Sequence, residues 1–467
     1  MGSTGSNGTW TPPPDDALNF TKSDTLCDAA TRWYGDSVKA WSDTDPLADV
    51  SPLVTYTYIV ALLPDNYSVP DLVNTFQWLN DTSAELAEKI DNFPVEQCSE
   101  KICEHLDWKG DPDISGVGMM VSYYIAAVFA TVYFVVLAVA ELRAMHKRRK
   151  NRPLDTSKFL DGFTESVNTF LDAALVFALS MLIAAMTRYV AELRSNNPYD
   201  DNNNNKSEPY SIYGMMGSVY MSTFSIFPAL VLHSVGSDLR RHWLRLFFWL
   251  AIMAFVIALD ILYRKAYKDK HWAGVDTDDF RMEGELVWLH YCDSASLRRL
   301  LESAVTAGHA FLGLNSVWWL YYFASSLVPE RWKSQAVKGS RVARSWRSAY
   351  PFLRLINGLA ALAFMWLFLV LFTHYRGSVA ETNSNGYEDG KWTFGQTLAL
   401  ATWAPVLVDL TTVYLFGAEG GLSSKLSRRY RVVPVPNEEQ HPHDKTLALK
   451  QTYSPLSSAQ EFGGGRS

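Results

Sequence analysis

Residues 116–150 read GVGMMVSYYIAAVFATVYFVVLAVAELRAMHKRRK: 25 residues without a charge, then five Lys or Arg among the last eight. At 1.5 Å per residue the uncharged run makes a helix of roughly 37 Å, longer than the hydrocarbon core of a bilayer. Hydrocarbon offers the backbone no hydrogen-bond partner, so a run of this kind has to be helical to cross it. The basic cluster that follows marks that end as the cytoplasmic one.

Working outward, the same kind of segment recurs. Gly116–Leu142 is followed by Phe163–Val190, Ile212–Val235, Leu246–Tyr263, Ser303–Val328, Tyr350–His374 and Phe394–Phe416. The expectation is an all-α polytopic bundle of seven transmembrane helices, residues 116–416. A head (1–115) and a tail (417–467) flank it, and their polarity pulls the mean hydropathy of the whole chain down to −0.06.

Sidedness signals alternate along the bundle. Arg143, Lys147, Arg148, Arg149, Lys150, Arg152 and Lys158 follow the first helix, and Arg240, Arg241 and Arg245 the third. Arg331, Lys333, Lys338, Arg341, Arg344 and Arg347 follow the fifth, so these three loops read as cytoplasmic. The glycosylation sequons at Asn7, Asn19, Asn66, Asn80 and Asn205 all fall on the other side. So do the four cysteines, Cys27, Cys98, Cys103 and Cys292, which suggests one or two disulfides in an oxidising compartment. One arrangement ties the head to the fourth–fifth loop; spacing alone leaves the pairing open. The N-terminus is expected outside and the C-terminus inside, in a multi-pass protein of the secretory pathway (ER or plasma membrane). The start Met-Gly-Ser-Thr-Gly-Ser fits an N-myristoylation pattern that would need a cytosolic head, and the three concordant signals outweigh it. The first forty residues show no apolar core of a cleavable signal peptide.

The head holds 20 acidic and 6 basic residues, net −14, which leaves the rest of the chain at +7 and suited to anionic lipid heads. Within it, 51–64 reads as buried core and 69–92 as short amphipathic helices, a small glycosylated and stapled ectodomain. The tail reads as flexible with a basic start at Arg428, Arg429 and Arg431. P-loop, dinucleotide, HExxH, CxxC and GxSxG patterns do not occur, and Asp276, Asp278, Asp279 and Glu283 have the wrong spacing for a diphosphate–magnesium motif. Nothing points to a nucleic acid, and no cofactor or metal is expected.

Polar side chains at membrane depth are costly and therefore candidates for function. Helix two carries Glu165, Asn168 and Asp172 on one face of its inner half; helix seven carries Thr402, Pro405, Asp409 and Thr412 on one stripe. Arg354 and Asn357 of helix six lie near the same level, so Arg354 is expected to neutralise Asp172 or Asp409. In the outer half stand Asp260, one turn before Arg264, and the stripe Glu302, Thr306, His309, Gly313 and Ser316 on helix five. His374 ends helix six, and Tyr123 and Tyr124 stand on helix one. The plain structural reading pairs Asp260 with Arg264 and bonds His309 to a neighbouring helix. The functional reading makes them a pocket open to the outer leaflet. Aromatic groups at Tyr123–Tyr124, at Trp318–Trp319 with Tyr321 and Tyr322, and at Trp366 either pack the bundle or stabilise a passing cation.

Gly110-Asp-Pro-Asp-Ile-Ser-Gly-Val-Gly118, leading into helix one, resembles the lead-in motif of a large group of fungal seven-helix membrane proteins. Thr393-Phe-Gly-Gln-Thr-Leu-Ala-Leu with Trp403-Ala-Pro405 resembles that group's last helix. The similarity covers 98–416, and its motifs are structural punctuation rather than catalytic signatures. Some members sit in terpenoid pathways, and the resemblance extends to membrane-bound terpene cyclases of the ascofuranone type. It implies an intramembrane terpene or meroterpenoid cyclase acting in fungal secondary metabolism. A lipophilic prenylated epoxide would enter from the bilayer and be protonated by a carboxyl, since burial favours the neutral form of that group. The acid is expected at Asp260 or Glu302, tuned by His309, with Asp172 and Asp409 in reserve. The alternative is a seven-helix receptor or sensor, although Asp/Glu-Arg-Tyr and Asn-Pro-x-x-Tyr are both missing; a proton-coupled transporter is weaker still, for want of internal repeats.

Overall fold

The structure is a computed structural model and describes residues 10–14, 17–40, 50–64, 67–106, 110–149, 158–195, 212–236, 242–265, 284–327, 341–382 and 388–424. Among them all regular elements are helices. The head contributes α1 (Asp24–Ala40), α2 (Pro52–Leu62), α3 (Leu72–Asp81), α4 (Ala84–Gln97) and α5 (Ile102–His105). The bundle contributes α6 (Val117–Arg149), α7 (Lys158–Ser195), α8 (Ile212–Val235) and α9 (His242–Tyr263). After the short α10 (Gly284–Tyr291) come α11 (Ala295–Leu327), α12 (Arg341–Thr382), α13 (Phe394–Ala401) and α14 (Ala404–Ser424).

Six spans are long and apolar enough to cross a membrane: Val117–His146, Gly162–Ala191, Tyr213–Val235, Trp243–Tyr263, Ala349–Thr382 and Phe394–Gly417. The seventh segment of the sequence, Ser303–Val328, lies in α11. That helix is 33 residues long, about 50 Å, and packs on α12, α8 and α9. Arg298, Arg299, Glu302, His309 and Asn315 dilute its apolar character.

The span of α8 is buried throughout, and α6, α7, α9, α11 and α12 all pack against it. A helix that is apolar or small all round belongs at a centre. Several of its serines bond back to the helix itself: Ser218 donates to the Met215 carbonyl (2.6 Å), Ser225 to that of Ser222 (2.6 Å) and Ser234 to that of Leu230 (2.8 Å). The end of α7 meets the start of α8, Tyr189 donating to the Met215 carbonyl (2.8 Å). The end of α8 meets the start of α12, Arg354 donating to the Ser234 carbonyl (3.1 Å), so the bundle has a head end and a far end.

Residues 51–64 form α2, whose Tyr58, Ile59 and Leu62 sit in the head core with Leu26, Trp78, Leu86 and Phe93. The segment 69–92 forms α3 and α4, capped by Asp71 on the Asn74 amide (2.8 Å) and Ser83 on the Leu86 amide (3.2 Å). Two disulfides staple the head. Cys27–Cys98 joins α1 to the end of α4, and Cys103–Cys292 joins α5 to the turn after α10. Tyr34, Val38, Ile102 and Leu106 belong to the same core as the bundle, so the head is docked by packing as well as by covalent bonds.

The two motifs that carry the family resemblance meet each other. Gln396 is fully buried; its amide donates to the carbonyls of Pro112 (2.7 Å) and Lys391 (2.9 Å), and its Oε1 accepts from the Gly118 amide (2.9 Å). A Cβ on Gly116 would collide with the Pro112 carbonyl and the Gln396 amide, and one on Gly118 would come within 2.7 Å of Gln396 Oε1. One turn deeper the Trp403 indole donates to Ser122 (2.9 Å), which donates to the Ala399 carbonyl (3.2 Å). The break between α13 and α14 lets Trp403 turn inward, and Pro405 sits in the first turn of α14, where its missing N–H costs nothing. These residues lace the first span to the last.

Candidate functional site

Asp260, half-buried, pairs with the exposed Arg264 one turn on (3.0 Å). His309 is bonded through Nε2 to the Thr223 hydroxyl of α8 (3.1 Å), and Asp260 and Arg264 lie within electrostatic reach of its ring. Glu302 faces Arg298 of its own helix (3.8 Å) and accepts from the Tyr263 hydroxyl of α9 (3.4 Å). His374 is exposed on α12. The structure therefore brings Asp260 and His309 near each other, and gives both the structural partners that plain packing requires.

Asp172 and Asn168 of α7 are engaged by Arg245 of α9. Arg245 Nε donates to Asp172 (3.0 Å) and Nη2 to the Asn168 side chain (2.9 Å). This corrects two expectations. Arg245 is not a solvated loop charge but stands one turn inside α9, 3 % exposed. Arg354 neutralises neither acid: it caps the end of α8, donating to the carbonyls of Ser234 (3.1 Å) and Gly236 (2.7 Å). A helix C-terminus presents unsatisfied carbonyls and a partial negative charge, which a guanidinium fits. Beside it Asn357 bonds Ser234 (3.1 Å) and Asn315 (2.8 Å), tying α12, α8 and α11 together.

Asp409 is half-buried at the seam of α14 and α7 and accepts from the Thr169 hydroxyl. It lies within electrostatic reach of Tyr133, whose hydroxyl is bonded to Ser166 (2.8 Å). From Tyr133 a run of rings leads along the bundle. Tyr133 meets Phe163 at 4.8 Å and Phe170 at 5.1 Å between centroids, and Trp403 meets Phe170 at 5.8 Å and Phe177 at 5.3 Å. The other aromatic groups have packing roles. Tyr123 is buried with its hydroxyl on the Ile114 carbonyl (3.3 Å), and Tyr124 bonds Thr373 (2.9 Å). Trp319 stands against Trp249 (4.2 Å) and His233 (4.9 Å), Trp318 stacks on Tyr350 (6.4 Å), and Trp366 donates to Thr131 (3.0 Å).

Sequence reading missed three acids at the head end. Asp293, fully buried beside Cys292, holds Arg298 Nε (2.6 Å) and the Tyr375 hydroxyl (2.8 Å). Asp389, also fully buried, accepts from Ser115 (2.6 Å) and lies 3.8 Å from Arg376. Asp111 pairs with Arg188. The available signal was the arginines: Arg188 stands in the last turns of an apolar segment, a position that demands a carboxylate nearby.

Asn19 and Asn80 are exposed in the head; Asn7, Asn66 and Asn205 lie outside the described residues. So do the basic loop residues from Lys150 to Arg152 and from Arg331 to Lys338, and the acids from Asp276 to Glu283, while the side chains of Glu165, Tyr321 and Tyr322 are not described. Among the described residues no three His, Cys, Asp or Glu side chains are grouped to hold a metal ion. Compared with known proteins, the chain matches no family model, no curated protein and no solved structure.

Proposed function

We propose that α11 is a seventh span, that the head faces the lumen or cell exterior, and that the bundle performs cofactor-free, acid-catalysed cyclisation of a lipophilic prenylated epoxide. The topology is supported by the alternating basic loops, the two disulfides and the exposed sequon residues Asn19 and Asn80. The catalytic reading is carried by Asp409, a carboxyl at the α7–α14 seam, bonded to a neutral hydroxyl and placed at the end of a run of aromatic rings. Its place beside Tyr133, where the run of rings begins, is what moves the assignment to an acid first held in reserve.

In the reaction proposed, the Asp409 proton passes to the epoxide oxygen as the C–O bond to the more substituted carbon breaks. The cation that forms travels along the Tyr133–Phe170–Trp403 faces, where the ring quadrupole stabilises it. An alkene, hydroxyl or carbonyl of the same molecule closes the ring, and the proton released returns to the Asp409 carboxylate. Substrate and product have equal mass. Microsomes from yeast expressing the chain test the assignment: Asp409→Asn abolishes product, whereas Asp260→Asn and Glu302→Gln retain it. Full activity in Asp409→Asn refutes it.

A receptor or sensor is the second reading. What favours it is the far-end knot of Arg354, Asn357, Asn315 and Ser234, which ties α8, α11 and α12 where a cytoplasmic partner would sense their movement.

A further inference from the structure

One face of α6 is left uncovered along its length. Val132 (43 % exposed), Val135 (51 %), Val139 (39 %) and Leu142 (49 %) recur at helical spacing on it, and the stripe ends at Arg143 and His146. At that end Val139, Leu142, Arg143 and His146 line an open concavity of about 340 Å³. Arg143 and His146 are exposed and hold no hydrogen bond or ion pair among the described residues. Glu141 lies about 200° round the helix from Arg143, too far round to neutralise it.

We infer that this is a binding site for an anionic phospholipid of the leaflet at the far end. Its phosphate sits on Arg143 and His146, and one acyl chain lies along Leu142, Val139, Val135 and Val132. From residue 132 to 142 the helix rises about 15 Å, half the hydrocarbon thickness and hence the depth of one leaflet. Valine side chains are stiff at χ1, so a chain laid on them freezes little side-chain motion. The charge of the neighbouring sequence, Arg143 to Lys150, complements an anionic head and argues against a second copy on the stripe. Two parallel copies would bring these like-charged ends together.

Native mass spectrometry of the purified full chain in detergent, titrated with phosphatidylserine or phosphatidylcholine, reads bound lipid and dimer together. Phosphatidylserine is expected to bind the more tightly. Arg143→Gln should weaken it on the order of five-fold, as the loss of one basic contact near an anionic lipid amounts to. Arg148→Gln removes the same charge about 140° round the helix and should leave binding unchanged. Val139→Ser should weaken it without altering net charge. Equal binding of phosphatidylcholine overturns the inference, and so does an equal loss in Arg148→Gln, which would mean diffuse attraction only. Displacement by soluble glycerophosphoserine would make it a free-anion site, and a dimer that persists in Arg143→Gln would put a second copy on the stripe; either also overturns it.

Discussion

Gln396→Leu tests whether the first and last spans are laced as described. Leucine is similar in size but removes three hydrogen bonds, to the Pro112 and Lys391 carbonyls and from the Gly118 amide. Each is worth about 1 kcal/mol net, and the Gly118 amide, left buried without this partner, adds a similar amount or more. Two of the three contacts are only partly buried, so water can take them over, and the expected loss is about 3 kcal/mol. For a large domain that lowers the apparent melting temperature by roughly 6 °C. Thermal unfolding of the purified chain in detergent, followed by the fluorescence of its sixteen tryptophans, reads it. Gln396→Glu keeps the shape and one acceptor but turns both donors into lone pairs facing carbonyls, so it should melt no higher than the leucine variant. If Gln396→Leu unfolds within about 1 °C of the parent, the lacing contributes nothing and the reasoning fails.

Arg245→Ala takes the guanidinium away from Asp172 and Asn168 and should cost about 2 kcal/mol, less than a fully buried pair because Asp172 is partly exposed. Adding Asp172→Asn should restore part of it, so a double-mutant cycle showing simple additivity contradicts the pairing. Wild-type protein should take up no maleimide before reduction, while Cys103→Ser leaves one reactive thiol, Cys292, on unfolding; labelling of Cys27 instead would reveal a different pairing. Burial pushes the phenols of Tyr34 and Tyr58 in the head well above their ordinary value near 10. A pKa raised by folding gives stability that is whole below the unfolded value and lost above it. The head should therefore weaken above about pH 10, with part of the tyrosinate absorption appearing only as helicity falls; free titration of all tyrosines in the folded chain contradicts this.

The spans were legible because length and apolarity at membrane depth leave the backbone one solution, and α6 to α9 begin and end close to where the composition changes. The count was less so at α11, where polar residues interrupt the apolar run. Partners were harder to read. Asp260 and Arg264 are four residues apart, and their pairing follows from helix geometry alone. Arg245 and Asp172 are 73 residues apart and meet only because α7 and α9 pack. The charge of Arg354 stands in an apolar segment and calls in sequence for an acid, and the end of α8 supplies backbone carbonyls instead. Asp293 and Asp389 look in sequence like solvated loop acids, and the folded turns bury them against arginines from helix ends. Gly116, Gly118 and Gln396 were visible as a resemblance, while the reason for them, a backbone approach too close for a Cβ, is visible only in space.

The central claim is proton transfer to a lipophilic epoxide inside the bundle, and the mass of the product tests it most directly. Microsomes containing the expressed chain, given prenylated aryl epoxides, should yield a compound of unchanged mass and shifted retention that empty-vector microsomes lack. No product, or a product heavier by one water, would contradict the account.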